Sequence, residues 1–326
     1  MDSGGGIAVS VMAGEAVLSG VGALMTELSV AFRLGNRKGD LAARIERVVG
    51  GIEALVRADI DAALAAIVHV HKHGYVVSHS VHAALLVEAL GQSLRWTVPR
   101  RRSVVAGALT MNVAAREVQD ELAEMPGEVD ARYWAWLLRH PKEGVRRLRE
   151  AGVRDGLWLG IVARHHERAD GSGYPAGLRR ADLQAEVRAV ALADLYCALA
   201  SGRGARPRVA GEELRERFLE RAVAVDGALG QFLVRWIGLY PPGTCVDLAD
   251  GETVVVVRRP AKGAPAHCPR VRAIRSARGE YLADPPWRDT QEESKRIVRV
   301  LHALPPGFSD PVERLWAPPA ADGTRR

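Results

Sequence analysis

The stretch 164–178, RHHERADGSGYPAGL, sets two adjacent histidines and a glutamate against an aspartate–glycine turn and a Gly-Tyr-Pro exit. Imidazole and carboxylate together are ligands for borderline divalent ions such as Fe, Mn or Zn. Eight of the ten histidines fall between positions 69 and 166: His69, His71, His73, His79, His82, His140, His165 and His166. A single histidine is ordinarily a satisfied core or surface residue, but imidazoles on facing helices converge readily on one ion. His79 opens one helix, His140 ends another at RHP, His165 and His166 close a third, and Asp194 lies inside a later one. These residues are the candidate metal ligands. His69, His71 and His73 alternate in HVHKHGY and read as a solvated helix end without a ligand role.

The loop after the histidine pair has a structural reading of its own. Asp170, Gly171, Ser172 and Gly173 predict a tight turn with positive φ at the glycines, and Tyr174–Pro175 stiffens its exit.

Helices must position these groups. Helical spacing of apolar residues runs over 7–33 and 40–69, the latter with Asp40 as its expected N-cap. It continues in HSVHAALLVEALGQSL, RSVVAGALTMNVAAREVQDELA, ARYWAWLLRHPKEGVRRLREAG, GLWLGIVARHHE, AEVRAVALADLYCALAS, GEELRERFLERA and GALGQFLVRWIGLY. Breakers separate them at Pro99, Pro126–Gly127, Gly152, Gly171–Pro175 and GRGARPR. After Tyr240 the pattern changes to β-branched runs around an Asp250–Gly251 hairpin turn, then a second strand pair in RVRAIRSARGEYL. A short helix is expected at 290–303 and a frayed tail at ERLWAPPAADGTRR. The fold class is therefore mainly α: an N-terminal helical region (1–69), a helical domain (70–240), a small β-rich module (241–310) and a tail (311–326).

With 326 residues, 48% of them hydrophobic, the chain buries a sizeable core, which excludes a disordered protein. The formal charge of +6 favours an anionic partner, although arginine spread over the surface explains it equally. Arg95, Arg100, Arg101 and Arg102 in RWTVPRRR lack interleaved aromatics beyond Trp96, so they read as a solvated loop rather than a nucleic-acid patch. The apolar N-terminus lacks a basic leader region and is broken by Glu15 and several glycines. It reads as a buried helix rather than a membrane span. Cys197, Cys245 and Cys268 show no CxxC spacing, which points to a reduced, cytoplasmic protein.

HHERADGSGYPAGL resembles the signature of the HD-GYP family, HD phosphohydrolases that linearise cyclic di-GMP. HSVHAALLVEALG is similar to the family's first histidine helix, RHPKEGVRRL to its HP helix, ALADLYCALASGR to its ADxxDALxxxR segment and GLYPPG to a common extension. The match covers roughly residues 70–210. It implies an HD-domain-like helical bundle and ligand roles for His79, His140, His165, His166 and Asp194. For Asp170, Gly171, Gly173, Tyr174, Pro175 and Arg203 it implies a nucleotide-binding or interaction role. The implied partner is cyclic di-GMP or a signalling protein such as a cyclic di-GMP synthase domain.

One segment departs from the family. Where relatives carry LLHDIGK, this chain has ALTMNVA, with Met111 at the histidine and Asn112 at the aspartate position. In a two-metal hydrolase a carboxylate bridges the ions and offsets their charge. Asn112 is neutral, and the Met111 thioether is a poor ligand for borderline ions. Ala115 and Met125 replace lysines, Cys197 replaces the second aspartate of ADxxD, and Tyr75 replaces a glutamate of trinuclear members. The remaining ligands suit one divalent ion, or an emptied pocket in which the histidines and Asp194 bond one another. The expectation is a degenerate HD-GYP protein with a binding or regulatory role. A phosphodiesterase working through one residual metal and a non-enzymatic adaptor are the alternatives.

Overall fold

The helical periodicity of the first part of the chain closes on a single apolar core. The computed structural model describes residues 14–35, 40–124, 131–202, 208–261, 263–309 and 311–317. Helix α1 (Gly14–Leu34) is long and apolar enough to cross a membrane, but Val17, Leu18, Val21, Met25 and Leu28 are fully buried against its neighbours, as in a core helix. The 40–69 pattern divides into α2 (Leu41–Ala58) and α3 (Ile60–His69) at Asp59. Asp59 is extended, and its carboxylate accepts from the amides of Asp61 and Ala62, a regular N-cap. Asp40 does not cap α2 with its side chain; it pairs instead with Arg44 at 2.9 Å.

Helix α4 (Tyr75–Ser93) runs through the middle of the body and is buried along most of its length. Helix α5 (Val98–Thr110) holds Pro99 in its first turn, where the missing N–H has no helical partner to lose. Arg100, Arg101 and Arg102 are thus helical, correcting the solvated-loop reading for them, while Arg95 lies in an exposed turn before α5. Arg101 binds Glu88 at 2.9 Å, Arg102 binds Glu46 and Glu53, and Arg100 binds Glu186.

The helix expected across 102–123 stops at Thr110 and turns through Met111–Ala115 before α6 (Arg116–Glu124) begins. After α7 (Ala131–Leu137), helix α8 (His140–Glu150) starts at His140, with Pro141 in its first turn. His140 therefore begins a helix rather than ending one, because proline suits an N-terminus and not an interior. The Asp155 carboxylate caps α9 (Gly156–Arg164) through the amides of Leu157 and Trp158. Then come α10 (Ala185–Ala200) and α11 (Gly211–Ile237), which joins two expected helices across a kink at Asp226.

The C-terminal part is one antiparallel sheet of five strands in the order β4-β3-β2-β1-β5. These are β1 (Cys245–Leu248), β2 (Thr253–Arg258), β3 (Arg270–Arg275), β4 (Trp287–Asp289) and β5 (Ile297–Leu301). β1 and β2 form the expected hairpin, Cys245 opposite Val255, with Gly251 at φ 90° in the turn. The RVRAIRSARGEYL segment turns back through an Arg275–Tyr281 bridge rather than a second strand, and β3 pairs with β2 and β4. Residues 290–303, expected as a helix, hold a short 3-10 turn at Glu293–Lys295 and then β5, whose IVRVL sequence favours extended backbone.

The tail is not frayed where it is described: Val312–Trp316 is a 3-10 helix. Trp316 is buried and donates its indole N–H to the Val257 carbonyl at 3.1 Å, alongside α1. Within the histidine run, His71 and His73 are exposed just past the end of α3, as expected, whereas His69 is not solvated. His69 bonds the Gly243 carbonyl at 2.9 Å, and burial pushes its pKa down to about 4. His71 bonds Val68 O, and His73 meets Thr26 Oγ1 at 2.9 Å.

Candidate metal centre

Two neighbouring helices deliver one cluster. The first residue of α8, His140, and the residues that follow α9, His165 and His166, place ring nitrogens within 4.8 Å of one another. Ring centroids lie 5.2 Å apart for His140–His165, 5.0 Å for His140–His166 and 4.0 Å for His165–His166. His140 Nδ1 bonds the Leu137 carbonyl, and His165 Nδ1 bonds the Val162 carbonyl at 3.0 Å. A carbonyl only accepts, so in both rings Nδ1 is the protonated nitrogen and Nε2 carries a lone pair. Those two Nε2 atoms face each other at 3.2 Å. Burial, with His165 adding to it, pushes the His140 pKa down to about 3. Burial likewise lowers His165 and His166, so all three rings are neutral at neutral pH. Neutral imidazoles that donate Nδ1–H to backbone carbonyls and converge their other nitrogens suit a divalent cation of the Fe, Mn or Zn kind.

The other two candidates form a pair of their own. His79, near the start of α4, lies 2.7 Å through Nε2 from Asp194 Oδ1 on α10. The Tyr75 ring stacks on His79 with centroids 5.1 Å apart. Burial raises the Asp194 pKa, but the His79 hydrogen bond and the surrounding imidazoles outweigh it and hold the carboxyl below its ordinary range. Among the described residues the five candidates thus divide into a trio and a bonded pair.

The turn after α5 supplies no anion. Met111 is fully buried, and the buried Asn112 accepts the Gln119 amide through Oδ1 at 3.1 Å. Ala115 is buried as well, and burial pushes the Cys197 thiol well up. Met125, Pro126, Gly127 and Arg203 lie outside the described residues.

The signature loop closes on itself. Asp170 Oδ1 accepts the amide and hydroxyl of Ser172, at 2.9 and 2.7 Å. Gly171 has the expected positive φ, 86°. Gly173 does not. Its constraint is space, because a Cβ there would sit 2.4 Å from Arg168 N, 2.5 Å from Glu167 Cα and 2.6 Å from His166 O. The Tyr174 amide bonds His166 O at 3.2 Å, and its ring stacks on the His166 ring at 4.6 Å. The Tyr174–Pro175 peptide is cis, and Pro175 is exposed.

Glu167, which the sequence reading passed over, latches the loop from below. It is 1% exposed, and its two oxygens accept the amides of Ala176 and Leu178 at 2.7 and 2.9 Å. A glutamate between a histidine pair and a glycine turn reads equally as a ligand or a latch, and only the loop's path decides between them.

Known proteins match this arrangement. An HD-domain family model matches residues 64–217. A cyclic di-GMP phosphodiesterase of Pseudomonas aeruginosa is 30% identical over 206 residues, 63% of this chain and 49% of that protein. The response regulator RpfG of Xanthomonas campestris pv. campestris, also a cyclic di-GMP phosphodiesterase, is 34% identical over 51% of this chain and 39% of its own length. A 3′3′-cGAMP-specific phosphodiesterase of Vibrio cholerae is 34% identical over 31% of this chain and 20% of its own. The chain spans about half or less of the length of these relatives. Among solved structures, an HDG"Y"P protein from Bdellovibrio bacteriovorus shares the fold with a TM-score of 0.56 and 20% identity, over 66% of this chain and 69% of that one. Residues 64–217 thus match the HD domain, and over this region the chain is similar to cyclic di-GMP phosphodiesterases and shares the fold of an HDG"Y"P protein.

Proposed function

We propose that this chain is a binding or regulatory HD-GYP protein in cyclic di-GMP signalling, one whose pocket holds a single divalent ion where a two-metal hydrolase holds two. The observation that carries this reading is the Met111–Asn112 turn. Both side chains are buried there, Asn112 Oδ1 is engaged by Gln119, and neither residue offers a bridging anion. Two cations a few ångströms apart need such an anion to offset their repulsion. Asp194, the candidate carboxylate ligand, is already bonded to His79. His140, His165 and His166 would hold the one ion. When bound, such an ion supplies Lewis acidity and a coordinated water of lowered pKa.

The names of the relatives support a cyclic dinucleotide as ligand, since they are phosphodiesterases of cyclic di-GMP or 3′3′-cGAMP. The exposed Pro175 edge of the signature loop is offered either to that ligand or to a signalling partner protein. A cytoplasmic location goes with this reading, supported by three buried cysteines kept as thiols.

A second reading is favoured by the facing lone pairs of His140 and His165: slow hydrolysis of the same phosphodiester through the one ion. The experiment that separates them supplies Fe, Mn and Zn, measures metal bound per chain, titrates cyclic di-GMP by calorimetry and assays its turnover. Nucleotide binding with no more than about one ion and no turnover supports the binding role. Two ions per chain, or turnover that vanishes in His165→Ala and His166→Ala, overturns it. Absence of nucleotide binding leaves the adaptor role.

A further inference from the structure

A buried carboxylate on α11 reaches the base of the signature loop. At Asp226 the helix leaves its path, with φ −164° and ψ 93°. Two consequences follow from that break. The extended Asp226 becomes an N-cap for the second half of the helix, its Oδ1 accepting from Leu229 N at 3.2 Å. The Ala224 carbonyl, freed from helical pairing, accepts the Asp170 amide at 3.4 Å.

Asp226 Oδ2 then gathers two guanidinium groups, Arg188 of α10 at 2.9 Å and Arg180 at 3.1 Å. Arg180 belongs to the loop's outgoing limb, and its amide bonds Ala169 O of the incoming limb at 3.1 Å. Asp170 and Arg179 complete an antiparallel bridge beside it. Both limbs are therefore fixed to the α11 kink, one through Ala224 O and the other through Asp226.

The tip of that loop bears on the histidine trio. His140 and His165 are each oriented by an Nδ1 bond to a carbonyl. Among the described residues no hydrogen bond orients the His166 ring. It lies under Tyr174, with ring planes 29° apart, and beside the other two imidazoles.

We propose that Asp226 is a positioning residue for the histidine cluster: by fixing the base of the loop it sets Tyr174 on His166 and so aims the third imidazole. This rests on the reading of His140, His165 and His166 as a metal cradle.

Cobalt(II) is the probe, because its visible absorption reports the number and geometry of nitrogen ligands. Arg180 is largely exposed, and Arg180→Ala leaves the Arg188–Asp226 pair that braces α10 against α11. In the full chain, Arg180→Ala and Asp226→Asn are expected to weaken cobalt binding by about 10–100-fold, as for other residues that orient ligands, and to change the band shape. Arg180→Lys is expected to restore most of both, and Arg180→Ala to keep the parent's melting temperature. Cobalt affinity and spectrum unchanged in both variants overturn the proposal.

Hydrogen exchange over residues 168–182 of the metal-free chain gives the second measurement. Faster exchange in both variants is expected, and unchanged exchange again overturns the brace. A parent chain that takes up no cobalt overturns the metal cradle instead, and exchange then decides the role of Asp226 alone.

Discussion

Nε2 of His140 and Nε2 of His165 face each other across 3.2 Å with no proton to share, because each ring commits its Nδ1–H to a backbone carbonyl. Two acceptors at that distance repel, and a cation between them relieves the repulsion. Zinc or manganese is therefore expected to raise the melting temperature of the parent chain and to have little effect on His140→Ala or His165→Ala. Differential scanning fluorimetry across a metal titration checks this. The double substitution Met111→His with Asn112→Asp is expected to raise uptake toward about two ions per chain by elemental analysis, since it restores the bridging carboxylate.

Gly173→Ala tests the close approach inside the loop. The atoms that a Cβ would meet belong to the backbone of His166, Glu167 and Arg168, which cannot swing aside as a side-chain end does. Overpacking of this kind costs about 1–3 kcal/mol. Urea unfolding is expected to show that loss, and metal affinity should fall with it because His166 is displaced. Gly177→Ala, where a Cβ meets only a carbonyl at 3.4 Å, is expected to act through its φ of 64° and to leave His166 in place.

Acid should destabilise the fold well before the carboxylates titrate. His82 is fully buried, and burial, with His71 adding to it, lowers its pKa from 6.5 to about 3; His69 falls to about 4. The unfolded chain takes up protons near pH 6.5 while the folded chain refuses them. The stability these groups contribute is thus present above pH 6.5 and is lost as pH falls toward 3–4, by up to about 1.4 kcal/mol per pH unit for each. Chemical denaturation at pH 7.5, 6, 5 and 4 is the measurement. His82→Gln is expected to flatten the decline, and a decline equally steep in that variant would assign it to other groups.

Trp316 fastens the last described helix to the rest. Trp316→Ala removes a buried indole and its bond to Val257 O, a truncation that typically costs about 3–5 kcal/mol. Thermal unfolding followed by tryptophan fluorescence and circular dichroism should show a fall of several degrees. A change confined to the noise would mean that α1 and β2 hold together without it.

Much of the fold was legible in the chain because helical spacing reports burial directly. Val17, Val21, Met25 and Leu28 marked the inner face of α1, and Asp250–Gly251 marked the hairpin. The errors arose where long-range partners decide. Arg101 looks like a solvated charge until Glu88 arrives from α4, and His69 looks exposed until Gly243 arrives from beyond α11. IVRVL reads as helix because the strand it pairs with, β1, lies some fifty residues away, outside any local window. At the site, residue types named the five candidate ligands, but the division into a trio and a pair depends on one hydrogen bond, His79 to Asp194. Asp226 left a trace as an Asp-Gly step between two helical stretches, although nothing local says that its carboxylate turns toward residue 180.

The latch formed by Glu167 has an implication for how such sequences are classified. Its carboxylate satisfies the amides of Ala176 and Leu178 from within, and Asp170 does the same for Ser172, so protein groups alone supply these bonds of the loop. A motif that is self-supporting in this way can outlast turnover, since selection for a foldable chain is enough to retain it. Genome surveys that count phosphodiesterases by the Gly-Tyr-Pro string are then counting folded loops. On the reading proposed above, the residues at positions 111 and 112 are the ones to count.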